Sequence, residues 1–279
     1  MRIYGSLAAL DFVVIGLYLV TLLALGFWVS FKKGHSEDLF LAGRQLGWAN
    51  IGFSIFGTNI SPSMMIGSCG IAYASGMVAA NFEWFAWVFL MLLGMVFTPH
   101  YLNTRISTMP EFMQKRFGNN CRVFMAYFTM FTTLWVWIGG TLFAGGILLG
   151  QILDWPLWAA VTFLALLSTS FTVTGGLMAV AITDTFQSIL MIGASAALTI
   201  ICFIKIGSIE KLTSSVPESF WHLFKPSNDP DYPWYAILLG YPVIAVWFWC
   251  TDQTIVQRVL GGRDLKQAQL GTWFAASLK

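Results

Sequence analysis

Charge is what this sequence has least of. Only 10% of its 279 residues are Asp, Glu, Lys or Arg, against about a quarter in soluble domains. That excludes an ordinary soluble globular fold. Clustered metal ligands are missing too: Cys69, Cys121, Cys202 and Cys250 are scattered, and His35, His100 and His222 stand far apart. This spacing supports neither a disulfide framework nor a metal centre, and the cysteines read as buried small hydrophobes. There is no nucleotide-binding loop and no Ser or Cys nucleophile beside a plausible base. The chain therefore does not read as an enzyme, and neither a cofactor nor a nucleic-acid partner is expected. No repeated filter or ring of pore-lining charge points to an ion channel.

Hydrophobic residues are abundant, at 57% of the chain with 24 Phe and 13 Trp, and the mean hydropathy is +0.71. Apolar runs of roughly 20 residues recur along the whole length, as spanning helices in a lipid bilayer require. The spacing predicts eight: 8–30, 46–73, 79–98, 122–150, 156–175, 178–205, 233–257 and one beginning near 268. The first lacks a basic lead and a small-residue cleavage site, so it reads as a transmembrane helix. The eighth is reached only one or two turns before Lys279, and the expectation is an N-terminal part of a longer chain. Residues 103–118 predict a short amphipathic helix at the inner surface, started by Thr108 and Pro110. Residues 207–232 read as a solvated external loop.

Lys and Arg placement sets the orientation. The connections after the first, third and seventh helices carry Lys32, Lys33, Arg44, Arg105, Lys115, Arg116, Arg122, Arg258, Arg263 and Lys266, and the other side carries only Arg2, Lys205, Lys211 and Lys225. The N-terminus is expected outside a plasma or inner cell membrane.

Three carboxylates lie within the spans: Glu83, Asp184 and Asp252. An ionisable group at membrane depth is costly and faces a bundle interior or a wet cavity. For Asp252 the reading is structural, a carboxylate near a cytoplasmic helix end. Asp184, with Thr183, Thr185 and Gln187 around it, offers the oxygen-rich surroundings that a hard cation prefers.

The stretch GTNISPSMMIG (57–67) is the most polar part of any span. Pro62 donates no N–H and its ring obstructs the carbonyl one turn earlier. Two readings fit. Either Ser61 and Ser63 heal a kink in a structural helix, or the helix opens at mid-membrane and lines a polar cavity, since lipid cannot satisfy a broken backbone. Transporters use such discontinuous helices to bind substrate and ion.

Four stretches resemble the sodium:solute symporter family, in the family's order, and within it the sodium/sugar cotransporters. They are EDLFLAGRQLGWANIGFSIFGTNIS (37–61), TMPEFMQKRFG (108–118), TGGLMAVAITDTFQ (174–187) and WFWCTDQTIVQRVLGGRDLKQAQ (247–269). The resemblance implies an all-α polytopic membrane fold of two inverted five-helix repeats behind an extra N-terminal helix. The extra helix would be 8–30, the first repeat about 46–205, and the start of the second about 233–279, all in one transmembrane domain, with each repeat's first helix broken. Gly57 and Ile60 match positions whose carbonyls hold the coupling sodium. Asp184 matches a carboxylate linked to sodium coupling, or to a second sodium in some members. Glu83 and Lys279 match sugar-contacting residues, Asn59 and Trp249 match residues beside the sugar, and Phe248 replaces the inner-gate Tyr.

The departures fall on the solute site. Met64 stands where the sugar transporters carry Gln or His, Ala86 and Ala245 replace hydrogen-bonding Ser and Asn, and Phe248 lacks a hydroxyl. A polyol site weakens with each missing partner. The resemblance thus implies a sodium-coupled importer of a small organic solute, an altered sugar, a sugar derivative or another organic solute, working by alternating access. Since the matched sodium site draws on a later helix, residues 1–279 alone are not expected to transport. A membrane sensor of the same fold joined to a signalling module is the alternative.

Overall fold

The computed structural model describes residues 8–31 and 36–279, without the side chains of 36–38 and of Phe171. Arg2, Lys32, Lys33 and His35 lie outside the described residues. Helix α1 (Ala9–Ser30) is followed by the short α2 (Ser36–Leu41), then α3 (Trp48–Asn59) and α4 (Pro62–Ser75). The helical run 81–103 forms α5, Met109–Phe117 forms α6, and Asn119–Leu153 forms α7. Helices α8 (157–175) and α9 (177–206) meet at Gly176, and α10 (236–251), α11 (Gln253–Leu260) and α12 (Leu265–Ser277) complete the chain. Among the described residues there is no strand, only the isolated bridges Leu46–Gly262 and Lys225–Pro233.

Each of the eight expected apolar segments is helical, with differences that have local causes. The third segment runs on to Asn103. The eighth starts at Leu265, before 268, because the Asp264 carboxylate caps it by accepting the Gln267 N–H at 2.8 Å. The second and seventh segments are each two helices. By length and hydropathy, four helical runs are long enough to cross a membrane: Ala9–Ser30, Pro62–Asn103, Asn119–Leu153 and Thr172–Ile206. The amphipathic helix forms as read, with Thr108 Oγ1 accepting the Glu111 N–H at 3.3 Å, the Glu111 carboxylate accepting the Ser107 N–H at 2.8 Å, and Pro110 in the first turn.

Helix α3 sits at the centre, packed between α9 and α12. Small residues let the backbones approach, as in membrane bundles generally. A Cβ on Gly52 would lie 2.4 Å from the Phe274 ring, and one on Gly271 would lie 2.6 Å from Ile51. At the α8–α9 junction Gly176 adopts φ 59° and ψ −160°, and a Cβ there would meet the Leu39 carbonyl at 2.4 Å. Only glycine fits both the dihedral and the space.

The glutamines of the 247–269 stretch tie this core together. Gln253 Oε1 accepts the Met109 N–H at 2.7 Å, Gln257 Nε2 donates to the Phe40 carbonyl at 2.6 Å, Gln267 Oε1 accepts the Trp48 N–H at 3.0 Å, and Gln269 Nε2 donates to the Gly94 carbonyl at 3.0 Å. Each satisfies a backbone group at a helix end or a loosened turn, where lipid offers no alternative.

Two expectations are corrected. The connection 207–232 is not simply solvated: it contains the helix Ile209–Ser214, and Asn81 Nδ2 donates to the Leu223 carbonyl while Phe85 packs on Phe224 at 6.1 Å. It rests on the α4–α5 junction because Gly76, at φ 79°, leaves room for Phe220 there. Of the four cysteines only Cys250 is buried, whereas Cys69 and Cys202 are exposed and Cys121 is half-buried. An apolar run in a bilayer protein has an outward face, so lying within one does not place a side chain inside the protein.

Candidate functional site

The second expected segment breaks at Ile60, whose φ −80° and ψ 96° leave the helix. Helix α4 restarts from Ser61, an extended residue (φ −107°, ψ 161°) whose hydroxyl accepts the Met64 N–H at 3.2 Å, with Pro62 in the first turn. The chain thus opens at this point and is not healed as a kink. The last carbonyls of α3, Gly57's among them, have no intrahelical partner.

The seventh segment breaks in the same manner at Asp252 (φ −66°, ψ 134°). Its carboxylate accepts the Thr254 N–H at 2.8 Å and starts α11, which is the structural role read from the sequence. The Tyr101 hydroxyl, wholly buried, donates to the Cys250 carbonyl at 2.9 Å, so the break is satisfied from α5.

Asp184 lies on α9 opposite α3. Its Oδ2 accepts from Ser54 Oγ at 2.6 Å, from Thr58 Oγ1 at 3.4 Å and from Arg258 Nη2 at 3.3 Å. Arg258 also donates through Nε to Ser54 Oγ at 2.8 Å and through Nη1 to the Thr254 carbonyl. Counted above among the cytoplasmic loop charges, Arg258 is in fact 6% exposed. A helical turn of α11 carries it inward, and the buried pair holds because hydroxyls and a carbonyl meet its remaining valences. Gly57 lets α3 approach α9 closely. A Cβ there would lie 2.7 Å from Ser188 Oγ and 3.3 Å from the Asp184 carbonyl.

Beside the α3–α4 break is a cavity of about 520 Å³. Asn59, Met64, Glu83, Phe248 and Trp249 line it. Lys279 reaches Glu83 Oε2 at 2.5 Å, and Asn59 Nδ2 donates to both Glu83 oxygens at 3.1 and 3.3 Å. The ammonium lies 5.0 Å from the Trp249 ring centre and 5.6 Å from that of Phe56, within cation–π range. The six residues matched to a solute site thus converge, although 220 positions separate Asn59 from Lys279. Ala245 is on the cavity wall, whereas Ala86 is buried away from it.

Of the three residues matched to sodium, Gly57 and Ile60 sit at the end of α3, at the break. Asp184 reaches α3 beside Gly57, but its carboxylate is turned toward Ser54, Thr58 and Arg258. The sequence reading missed Arg258, Ser54 and Thr58 as its partners, and Trp137 as part of the cavity wall. A usable signal existed for two of them, since hydroxyls at positions i and i+4 share one face of α3.

Two helices opened at mid-length, both bordering a cavity that contains Glu83, are the arrangement that membrane transporters use to bind substrate and ion. The chain belongs to the sodium:solute symporter family, whose profile matches residues 39–277, a family of multi-pass membrane proteins. It is 32% identical to the sodium/glucose cotransporter 1 of Oryctolagus cuniculus, over 97% of this chain and 45% of that protein. It is 34% identical to the sodium/glucose cotransporter 4 of Danio rerio, over 98% of this chain and 45% of that one. To the sodium/myo-inositol cotransporter of Mus musculus it is 34% identical, over 98% of this chain and 42% of that one. The chain therefore spans less than half the length of these relatives. Among solved structures, the substrate-bound outward-open state of a Na+-coupled sialic acid symporter has the same fold, with a TM-score of 0.86 at 20% identity, covering 97% of this chain and 58% of that one.

Proposed function

We propose that the protein is a sodium-coupled secondary active transporter importing a small, sugar-like organic solute by alternating access, without enzymatic chemistry. The observation that carries this reading is the break at Ile60: it frees helix-end carbonyls beside Asp184 and opens at the same level onto the Glu83–Lys279–Asn59 cavity. Freed carbonyls of Gly57 and Ile60 suit sodium, and Asp184, held in its pair with Arg258, reaches the same helix at Ser54 and Thr58. Asn59, Glu83 and Lys279 offer hydroxyl-binding groups, Trp249 and Phe248 offer ring faces, and Met64 and Ala245 leave one wall apolar. The solute is accordingly a sugar or sugar derivative with fewer hydrogen-bonding groups than a hexose. Sodium serves as coupling ion, and the two ligands favour the same closed state, so each raises the other's affinity.

The extra helix is α1, the first repeat covers about 46–205 and the second starts at about 233. The helices lie in the bilayer of the cell membrane with the N-terminus outside, as the excess of Lys and Arg in the connections after the first, third and seventh apolar spans argues.

Uptake of labelled sugars, inositols and sugar acids into membrane vesicles, with the full reading frame that encodes this chain, tests the reading. Sodium-stimulated uptake of one solute, weakened by Asp184→Ala, is expected. Uptake indifferent to the sodium gradient for the whole panel would overturn it.

A further inference from the structure

Glu83, the carboxylate of the solute cavity, sits on a turn that its own helix holds weakly. Phe85 stands between two helical stretches, Asn81–Trp84 and Ala86–Leu92. The Val88 N–H returns to the Phe85 carbonyl at 3.1 Å, a bond spanning three residues instead of four. Such tightened turns have poorer hydrogen-bond geometry than a regular helix, and so short a helical stretch is not stable by itself. The direction of Glu83 is therefore decided by what this turn packs against.

Tyr241 of α10 supplies that contact. Its hydroxyl donates to the Phe82 carbonyl at 2.6 Å. That carbonyl belongs to the planar peptide joining Phe82 to Glu83. Fixing it fixes one side of the Glu83 Cα, and with it the direction in which the side chain leaves. The Tyr241 ring lies against three rings of α5, with centres 5.8 Å from Phe82, 6.5 Å from Phe85 and 6.1 Å from Phe89. The connection 207–232 holds the same turn: Asn81, 2% exposed, donates to the Leu223 carbonyl, and Phe82 packs against Tyr232 at 6.2 Å. Tyr241 also lines the solute cavity, two helical turns from Phe248 and Trp249 on the same helix.

We propose that Tyr241 is a positioning residue of the solute site: through the Phe82 carbonyl its hydroxyl aims the Glu83 carboxylate at Lys279 and Asn59. This rests on the transport reading above. Without the hydroxyl, the peptide between Phe82 and Glu83 loses its anchor. The carboxylate then spends part of its time turned away from Lys279 and Asn59, and solute affinity falls with the fraction of molecules left competent. The ring contacts with Phe82, Phe85 and Phe89 do not need the hydroxyl, so packing and aiming are separable in one atom.

The test compares wild type with Tyr241→Phe in the full-length protein. Dicyclohexylcarbodiimide, a lipid-soluble reagent, condenses a carboxylate with a touching amine to an amide, and the water lost passes to the reagent as its urea. The Glu83–Lys279 cross-link is counted by mass spectrometry per molecule of protein, with Glu83→Gln setting the zero. Tyr241→Phe is expected to lower the yield about three- to tenfold, the shift that losing one hydrogen bond produces. In vesicles, the KM for sodium-driven uptake of labelled D-glucose or myo-inositol is expected to rise about as much, with the maximal rate per transporter unchanged. In a Glu83→Gln background the same substitution is expected to leave KM as it is, because the hydroxyl acts through that carboxylate. Tyr241→Met, which also lacks the hydroxyl, takes the place of Tyr241→Phe if that variant is not produced. An unchanged yield overturns the proposal, and a raised KM beside it would mean that the hydroxyl touches the solute itself. An equal loss in the Glu83→Gln background, or no cross-link in wild type, overturns it as well. The cross-link needs no transport: a lowered yield in a protein that takes up nothing with sodium leaves Tyr241 aiming Glu83 and removes the transport reading, and sodium-driven uptake with an unchanged yield does the reverse.

Discussion

Arg258 grips Asp184 at 3.3 Å, and through the shared hydroxyl of Ser54 the pair joins three elements: α3 from the first broken helix, α11 from the second, and α9 between them. One half of each broken helix, α3 and α11, is thereby fastened to the same carboxylate. Whatever moves α3 or α11 away from α9 must first part this pair.

Arg258→Met strands the Asp184 charge in the bundle, and removing one partner of a buried pair costs about 3–5 kcal/mol. A marked fall in the temperature at which the detergent-solubilised protein leaves the monodisperse peak is expected. Asp184→Asn added to Arg258→Met restores a good part of the loss. A single variant as stable as wild type would show that the pair contributes little.

Glu83 and Lys279 form one unit with Asn59. Glu83→Gln removes a charged acceptor from Lys279, an interaction worth about 1.5–3 kcal/mol, and the expected result is a KM for the solute raised roughly tenfold or more. Lys279→Met has a similar effect, and the double variant costs much less than the sum. Additive losses in the kinetic cycle would mean the two side chains act separately.

Gly57 packs against Ser188, whose hydroxyl donates to the Phe53 carbonyl at 2.8 Å. Gly57→Ala pushes α3 from α9, an overpacking cost of about 1–3 kcal/mol, and raises the half-saturating sodium concentration in uptake. Ser188→Gly in the same protein makes room and recovers it. If the double variant is no better than Gly57→Ala, crowding at Ser188 is not the cause.

Glu111, at the start of α6, has its carboxyl held below the usual carboxylate range, first by the Ser107 N–H it accepts and then by Lys115, 3.4 Å away. A depressed carboxylate contributes stability above its unfolded pKa and loses it as the pH falls through the lower folded value. Stability should therefore drop less steeply in Glu111→Gln than in wild type on acidification below the ordinary carboxylate range, and the two should run parallel near neutrality. Denaturation followed at stepped pH reads the difference, and parallel curves throughout would remove the role.

The sequence by itself determined the class of the molecule. Scarce charge and repeated 20-residue apolar runs allow only a bundle in lipid, Pro62 with its glycines and hydroxyls marks where a helix either kinks or opens, and Thr108 with Pro110 marks a helix start. These are local effects, set by whether a residue donates an N–H, caps an end or resembles the solvent. The resemblance named the solute-site residues, but their meeting was decided by the tertiary structure, because Asn59, Glu83 and Lys279 share no helix. Arg258 shows the limit best. Its position near a helix end reads as a surface cation, and only the packing of α11 on α3 and α9 turns it inward to Asp184. Tyr241 was one aromatic among many until the fold set its hydroxyl on the Phe82 carbonyl. Burial and pairing depend on which faces meet across the bundle, and that is a property of the packed helices and not of any segment alone.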